Sequence, residues 1–183
     1  MGQIELIATT TFGLEAIVKR ELENLGYEDL IVENGKITFK AEEKDIPIAN
    51  LWLRSADRVL LKMGEFKATS FEELFQKTKV LPWEDWITED GEFTVEGKSV
   101  NSQLFSISDS QAIVKKAIVE KLKTKYNTDW FKETGAKFTI EVSLLKDIAT
   151  LTIDTSGSGL HKRGYRQKSV EAPLKETLAA ALV

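Results

Sequence analysis

Between residues 1 and 66 two hydrophobic periodicities alternate, and that alternation limits the possible folds more than any other feature of the chain. Ile4-Glu5-Leu6-Ile7-Ala8 reads as a short strand. Residues 12–25 place Leu14, Ile17, Val18, Leu22 and Leu25 at helical spacing, and Gly26 suits the stop position. Residues 30–32 and 36–40 read as a hairpin about Glu33-Asn34-Gly35, because Asn-Gly is a strong two-residue turn signal. A second helix is predicted over 45–56, with Pro47 in its first turn, where a missing N–H does little harm. Residues 58–66 close the series as a strand. The order β-α-β-β-α-β is the split βαβ, or ferredoxin-like, arrangement.

A second unit follows over 67–156. Ser70 and Glu73 stand at capping-box spacing ahead of Leu74 and Phe75. Trp83 and Trp86 are expected at the junction of the two units. A short strand is predicted over 92–96 and a polar loop over 97–103. A long helix should run to Tyr126 from a cap at Ser108 or Asp109. Phe138, Ile140, Val142 and Leu144 alternate as a half-buried strand, Lys146-Asp147 turns the chain, and 148–154 returns as another strand. The fold class is therefore α+β: a ferredoxin-like unit, then a mixed α/β unit.

Cysteine is absent, so neither a disulfide framework nor a thiolate zinc site is available. His161 is the single histidine and lies in a basic segment that would repel a cation. The chain shows no signal-peptide pattern and no apolar run of membrane-spanning length, so a cytoplasmic location is expected. Paired acids at catalytic spacing, nucleophile motifs and metal-ligand clusters are also missing.

Net charge is −4 over 183 residues, which by itself argues against nucleic acid. Its distribution argues the other way. Residues 1–97 hold 11 Lys and Arg against 20 Asp and Glu, net −9, while residues 98–183 hold 14 against 9, net +5. Such a division is compatible with a polyanion-binding face and also with scattered solvated charge.

Three stretches invite a functional reading. Asp154-Thr155-Ser156-Gly157-Ser158-Gly159 contains G-x-G after a strand, as a nucleotide loop would. Such a loop requires a helix N-terminus behind it, and Leu160-His161-Lys162-Arg163-Gly164 is not an amphipathic helix, so the glycines read as a hinge. The helix ending at Tyr126 carries Lys115 and Lys116, and the loop before it offers Lys98, Asn101 and Ser102, residue types that contact phosphate and ribose. Lys162, Arg163, Arg166 and Lys168 place four cations in seven residues around Tyr165, a combination suited to single-stranded RNA or to a basic linker.

Four stretches also resemble a known family. They are Leu-Trp-Leu-Arg-Ser-Ala-Asp-Arg-Val (51–59), Asn-Ser-Gln-Leu-Phe (101–105), Val-Lys-Lys-Ala-Ile-Val (114–119), and Leu-His-Lys-Arg-Gly-Tyr-Arg (160–166) with Ala-Pro-Leu-Lys-Glu-Thr-Leu-Ala-Ala-Ala (172–181). Together they resemble the N-terminal part of bacterial THUMP-domain RNA methyltransferases, which act on guanine N2 of 23S ribosomal RNA. Many of these are labelled adenine-specific DNA methylases. The resemblance implies a ferredoxin-like domain at 1–66, an RNA-binding THUMP domain at 67–156 and a hinge with basic linker at 157–172. Residues 173–183 would begin a Rossmann-like methyltransferase domain. The catalytic motifs of that domain do not occur here, so no catalytic residue and no cofactor site are expected in the chain. S-adenosylmethionine is implied for the full-length protein.

By the same resemblance Lys98, Asn101, Ser102, Lys115 and Lys116 would line the RNA face. Arg163, Tyr165 and Arg166 would stand near substrate beside the catalytic domain. The 97–105 loop is less basic than in the family, which implies weak affinity from the loop alone. The expected partners are 23S ribosomal RNA and the chain's own methyltransferase domain. The alternative is a structural module that orients the catalytic domain with little RNA affinity. The closing apolar run, Leu174, Leu178, Ala181 and Leu182, lacks a stop signal, so a fragment is expected, with this helix seeking a partner surface.

Overall fold

The computed structural model describes residues 2–164 and 173–183. The chain forms two compact units. The first joins residues 1–61 to 155–183, and the second is 62–154.

The first unit contains β1 (Ile4–Thr9), α1 (Glu15–Asn24), β2 (Ile31–Glu33), β3 (Lys36–Ala41), α2 (Asp45–Trp52) and the opening residues of β4 (Arg58–Lys67). This is the β-α-β-β-α-β order anticipated from periodicity. The strand order is β2-β3-β1-β4, with β1 and β2 both antiparallel to β3. Leu6, Ala8, Val18, Leu22, Ile37 and Phe39 form its core. The Tyr27 ring lies 4.8 Å from the Phe39 ring.

Two boundaries differ from the sequence expectation. Helix α1 starts at Glu15 and not at residue 12. Gly13 holds a left-handed φ of 92°, and the Glu15 carboxylate accepts from the Gly13 N–H (2.9 Å) and the Gly35 N–H (2.8 Å), so a clasped turn precedes the helix. Helix α2 ends at Trp52 and not at residue 56, because Leu53 is extended.

The second unit contains the rest of β4, α3 (Phe71–Lys79), a 3-10 turn (Trp83–Asp85), β5 (Glu92–Val100), α4 (Ile107–Tyr126), β6 (Lys137–Leu145) and β7 (Ile148–Asp154). Its order is β4-β7-β6-β5. Strands β5 and β6 are parallel, with α4 as the crossover, and β6 and β7 form an antiparallel hairpin. Helix α4 packs along α3 and over β5. Trp83, expected at the junction of the units, is fully buried in the core of the second unit, where its indole N–H donates to the Thr78 carbonyl at 2.8 Å.

Two local readings change here. Residues 97–100 are strand and not loop, since β5 runs in register with β6 to the Val100–Leu145 pair. The cap of α4 is Ser106 in place of Ser108 or Asp109, and its side chain makes no capping bond. The capping box at Ser70 does form: the Ser70 hydroxyl accepts from the Glu73 N–H at 3.2 Å. The Glu73 carboxylate reaches one residue further back than the pattern suggests, to the Thr69 N–H at 2.7 Å.

These helix-start carboxylates are held ionised. The Thr69 N–H keeps Glu73 below the usual glutamate range, and the Gly35 N–H does the same for Glu15. A lowered folded pKa means stability that is present at neutral pH and is lost as pH falls through the folded value. The thermal midpoint should therefore drop on acidification below about pH 4.5, and Glu73→Gln should flatten that drop, as measured by circular dichroism melts across pH.

Candidate nucleic-acid interface

The residues proposed for RNA contact within the second unit fall on three separate surfaces. Side chains of β5 alternate between two faces of the sheet. Phe93 and Gly97 face α4: a Cβ built on Gly97 would meet Ile107 at 3.1 Å and Gln111 at 3.0 Å. Lys98 therefore points away from α4, onto the opposite face of the sheet. There its ammonium pairs with Glu141 at 2.7 Å while staying 58% exposed.

Lys115 and Lys116 belong to the helical side. Val114, Ala117, Ile118 and Leu122 bury the inner stripe of α4. Lys115 lies over the Phe93 ring at 5.6 Å, and Lys116 over the Phe75 ring of α3 at 5.6 Å. Lys79 also sits over Phe75, at 5.7 Å, and pairs with Glu120 at 2.9 Å. That pair holds the Glu120 carboxyl below its ordinary range. Lys121 is paired with Glu84 at 3.1 Å.

Asn101 and Ser102 occupy a third place, the turn after β5. Asn101 has a left-handed φ of 50°. The Ser102 hydroxyl donates to the Val100 carbonyl at 3.2 Å and accepts from the Asp147 N–H at 3.0 Å. Asp147 is the residue that sequence reasoning missed. Its carboxylate accepts from the Gln103 N–H at 2.7 Å and from the Gln103 side-chain amide at 3.3 Å, and its carbonyl accepts from the Ala68 N–H at 2.8 Å. One aspartate thus fastens the β6–β7 turn to the loop before α4 and to the end of β4. In the sequence the only trace was Lys146-Asp147 read as a turn.

Arg163 lies in the first unit. Its guanidinium donates to the carbonyls of Asn50 (3.0 Å), Leu51 (2.8 Å), Leu53 (2.6 Å) and Leu160 (3.0 Å). Three of these end α2, whose last carbonyls have no intrahelical donors. A phosphate at Arg163 would compete with all four. Tyr165 and Arg166 lie outside the described residues.

The glycine hinge expected at 157–159 is instead a bonded return segment. Thr155 Oγ1 donates to the Val59 carbonyl at 2.7 Å, and Ser156 Oγ accepts from the Val59 N–H at 2.8 Å. Asn50 donates to Thr155 Oγ1 at 3.0 Å, Arg58 donates to the Gly157 carbonyl at 2.8 Å, and the Leu160 N–H donates to the Asp57 carbonyl at 2.9 Å. Residues 160–164 form no helix behind Gly159, so the described residues offer no dinucleotide-type loop there. Helix α5 (Glu176–Leu182) is fixed by polar contacts: the Thr177 hydroxyl donates to Asp57 at 2.9 Å, and the Lys175 ammonium pairs with Asp57 at 2.7 Å. Leu174 and Leu182 remain exposed.

Residues 5–60 match the family described as RlmL ferredoxin-like domain, and residues 68–154 match the THUMP domain family. The chain belongs to the THUMP-domain proteins. In it an RlmL-type ferredoxin-like domain precedes the THUMP domain. The chain is 55% identical to a Bacillus subtilis (strain 168) protein named "Putative RNA methyltransferase YpsC", over 100% of this chain and 48% of that protein. It is also similar to the crystal structure of a "predicted N6-adenine-specific DNA methylase" from Listeria monocytogenes: TM-score 0.95 and 58% identity over 100% of this chain and 48% of that one. SMU.472, a "putative methyltransferase complexed with SAH", gives a TM-score of 0.92 and 47% identity over 100% of this chain and 48% of that one. The THUMP-domain chain thus spans about half the length of these relatives.

Among the described residues no cluster of His, Asp and Glu could hold a metal ion, and no helix is long and apolar enough to cross a membrane.

Two substitutions test this geometry. Asp147→Ala removes both bonds to Gln103 and should lower stability by about 1–3 kcal/mol in urea unfolding. Arg163→Ala should lower it by a similar ~1–3 kcal/mol, and Arg163→Lys should recover little, because an ammonium cannot reproduce a planar fork on several carbonyls.

Proposed function

We propose that this chain captures RNA for an S-adenosylmethionine-dependent methyltransferase. On this reading it presents ribosomal RNA, 23S in particular, to a catalytic domain lying in the half of such proteins that the chain does not span. The THUMP match over 68–154 carries the reading, supported by relatives named as methyltransferases, one of them crystallised with SAH. The donor would bind outside this chain, whose residues supply contact and orientation. A cytoplasmic location accords with such a substrate.

The RNA face we propose is centred on Lys115 and Lys116 of α4, which lie over aromatic rings, with Asn101 and Ser102 beyond the start of that helix. Lys98 would contribute only where RNA reaches the other side of the sheet. Tyr165 and Arg166 would meet RNA nearer the catalytic domain.

A second reading has an observation of its own. Residues 155–163 and α5 are bonded to the ferredoxin-like unit through Val59, Asp57 and the end of α2, so this unit can aim whatever follows α5. The exposed Leu174 and Leu182 would then contact the catalytic domain.

Fluorescence anisotropy with a 23S rRNA fragment separates the two. RNA capture predicts a Kd that rises at least tenfold between about 50 and 200 mM salt. Lys116→Ala should weaken binding and lower the slope of log K against log salt by about 1, whereas Lys98→Ala should have a smaller effect. Absence of binding, or binding indifferent to both substitutions, rejects the assigned face.

A further inference from the structure

One end of the THUMP sheet gathers features that stability alone does not require. Asn101, Lys146 and Asp147 all hold left-handed backbone, with φ of 50°, 51° and 65°. A two-residue hairpin loop demands that conformation at both of its residues, here Lys146 and Asp147, and Asn adopts it more readily than most residues, so both turns have a set geometry. All three lie in the two turns that Asp147 fastens together. Between those turns and α4 stands Phe105, 82% exposed.

This exposure is imposed by the loop. Leu104, one residue earlier, is buried in the core, and its carbonyl accepts from the Ser99 hydroxyl at 2.8 Å. The Phe105 N–H donates to the Gln103 carbonyl at 3.0 Å, and Gln103 is held twice by Asp147. The backbone at Phe105 is thus set on both sides, and its ring is left to solvent. Lys146, at the tip of the β6–β7 turn, makes no ion pair among the described residues, and its backbone N–H is tied to the Val100 carbonyl at 3.1 Å.

We propose that this end of the sheet binds one unpaired base of the RNA, with Phe105 stacking on the nucleobase and the Lys146 ammonium taking an adjacent phosphate. The proposal rests on the RNA-capture reading and narrows it to a single-stranded element. Only an unpaired base can offer its face to a side chain, and an exposed aromatic with a cation in a neighbouring anchored turn suits a single strand. The anchored backbone means that little ordering remains to be done on binding. Val100, Leu145 and Ile148 are exposed at the same end and would pack against sugar edges. A protein partner could use them too, and the test includes that outcome.

The test compares two RNAs, a hairpin with a short 3′ tail carrying 2-aminopurine and the same hairpin with a blunt end. Against the tailed RNA, Phe105→Ala should bind between about fivefold and a hundredfold more weakly and lose the quenching of 2-aminopurine that wild type produces. It should bind the blunt RNA as wild type does and keep the wild-type thermal midpoint, as an exposed side chain allows. Phe105→Tyr should restore both readouts, and Lys146→Gln should lower the salt slope by about 1. Equal binding of tailed RNA by wild type and Phe105→Ala overturns the stacking site while leaving RNA capture intact. Failure of wild type to bind either RNA overturns both. A wild-type dimer that Phe105→Ala dissociates, with RNA affinity unchanged, overturns it in favour of a protein interface.

Discussion

The C-terminus of α2 leaves carbonyls that nothing in its own helix can satisfy, and Arg163 answers them from up to 113 residues further along the chain. Helix C-termini carry partial negative charge, so a guanidinium is suited to the position on two grounds: it supplies donors, and it opposes the dipole. The consequence reaches beyond one helix. The first unit is built from both ends of the chain, and the segment after the THUMP domain returns to it through a ladder of bonds from Thr155 to Arg163. Closing so long a loop is entropically unfavourable, but the cost grows only slowly with length, and many bonds share it. An inserted THUMP domain is therefore compatible with a well-formed ferredoxin-like unit.

That dependence explains which parts of the fold were legible in the sequence. The β-α-β-β-α-β order was readable because its signals are local: Gly26 ends a helix, Asn34-Gly35 turns a hairpin, and Pro47 starts a helix. The Ser70–Glu73 cap lies within one turn and was readable for the same reason. Arg163 was not, since its partners are main-chain carbonyls distant in sequence and its surroundings made it look like one of a cluster of free cations. The end of α2 was misplaced by the same omission. Strand β5 was shortened because Glu96, Lys98 and Val100 face away from α4 while Gly97 faces it, so the alternation that identifies a strand is carried by a glycine with no side chain to show it. Asp147 was seen as a turn residue, yet its bonds to Gln103 and Ala68 are visible only once three distant segments meet.

The candidate interface was legible as a set of residue types and illegible as a surface. Spacing along the chain placed Lys98 with Lys115 and Lys116, but the pleat of β5 separates them onto opposite faces. Net charge misleads in a similar way. The second half of the chain is positive by 5, yet Lys98, Lys121 and Lys137 already have acidic partners within the same unit. Exposed pairs of this kind contribute roughly 0–1 kcal/mol, so a phosphate can displace the acid, but it gains only the difference.

In the proposed role, affinity would draw on cations without an ion pair among the described residues, such as Lys115, Lys116 and Lys146. Counterion release from two or three phosphates gives weak, sequence-independent attraction, which brings RNA near and does not select it. Selection must then come from shape and from groups whose positions are set before RNA arrives. In this chain those groups are main-chain turns pinned by Asp147 and the side chains they project. In the proposed role, light capture and rigid turns would suit a catalytic domain that has to release its RNA after each methyl transfer, since tighter electrostatic capture would slow that release.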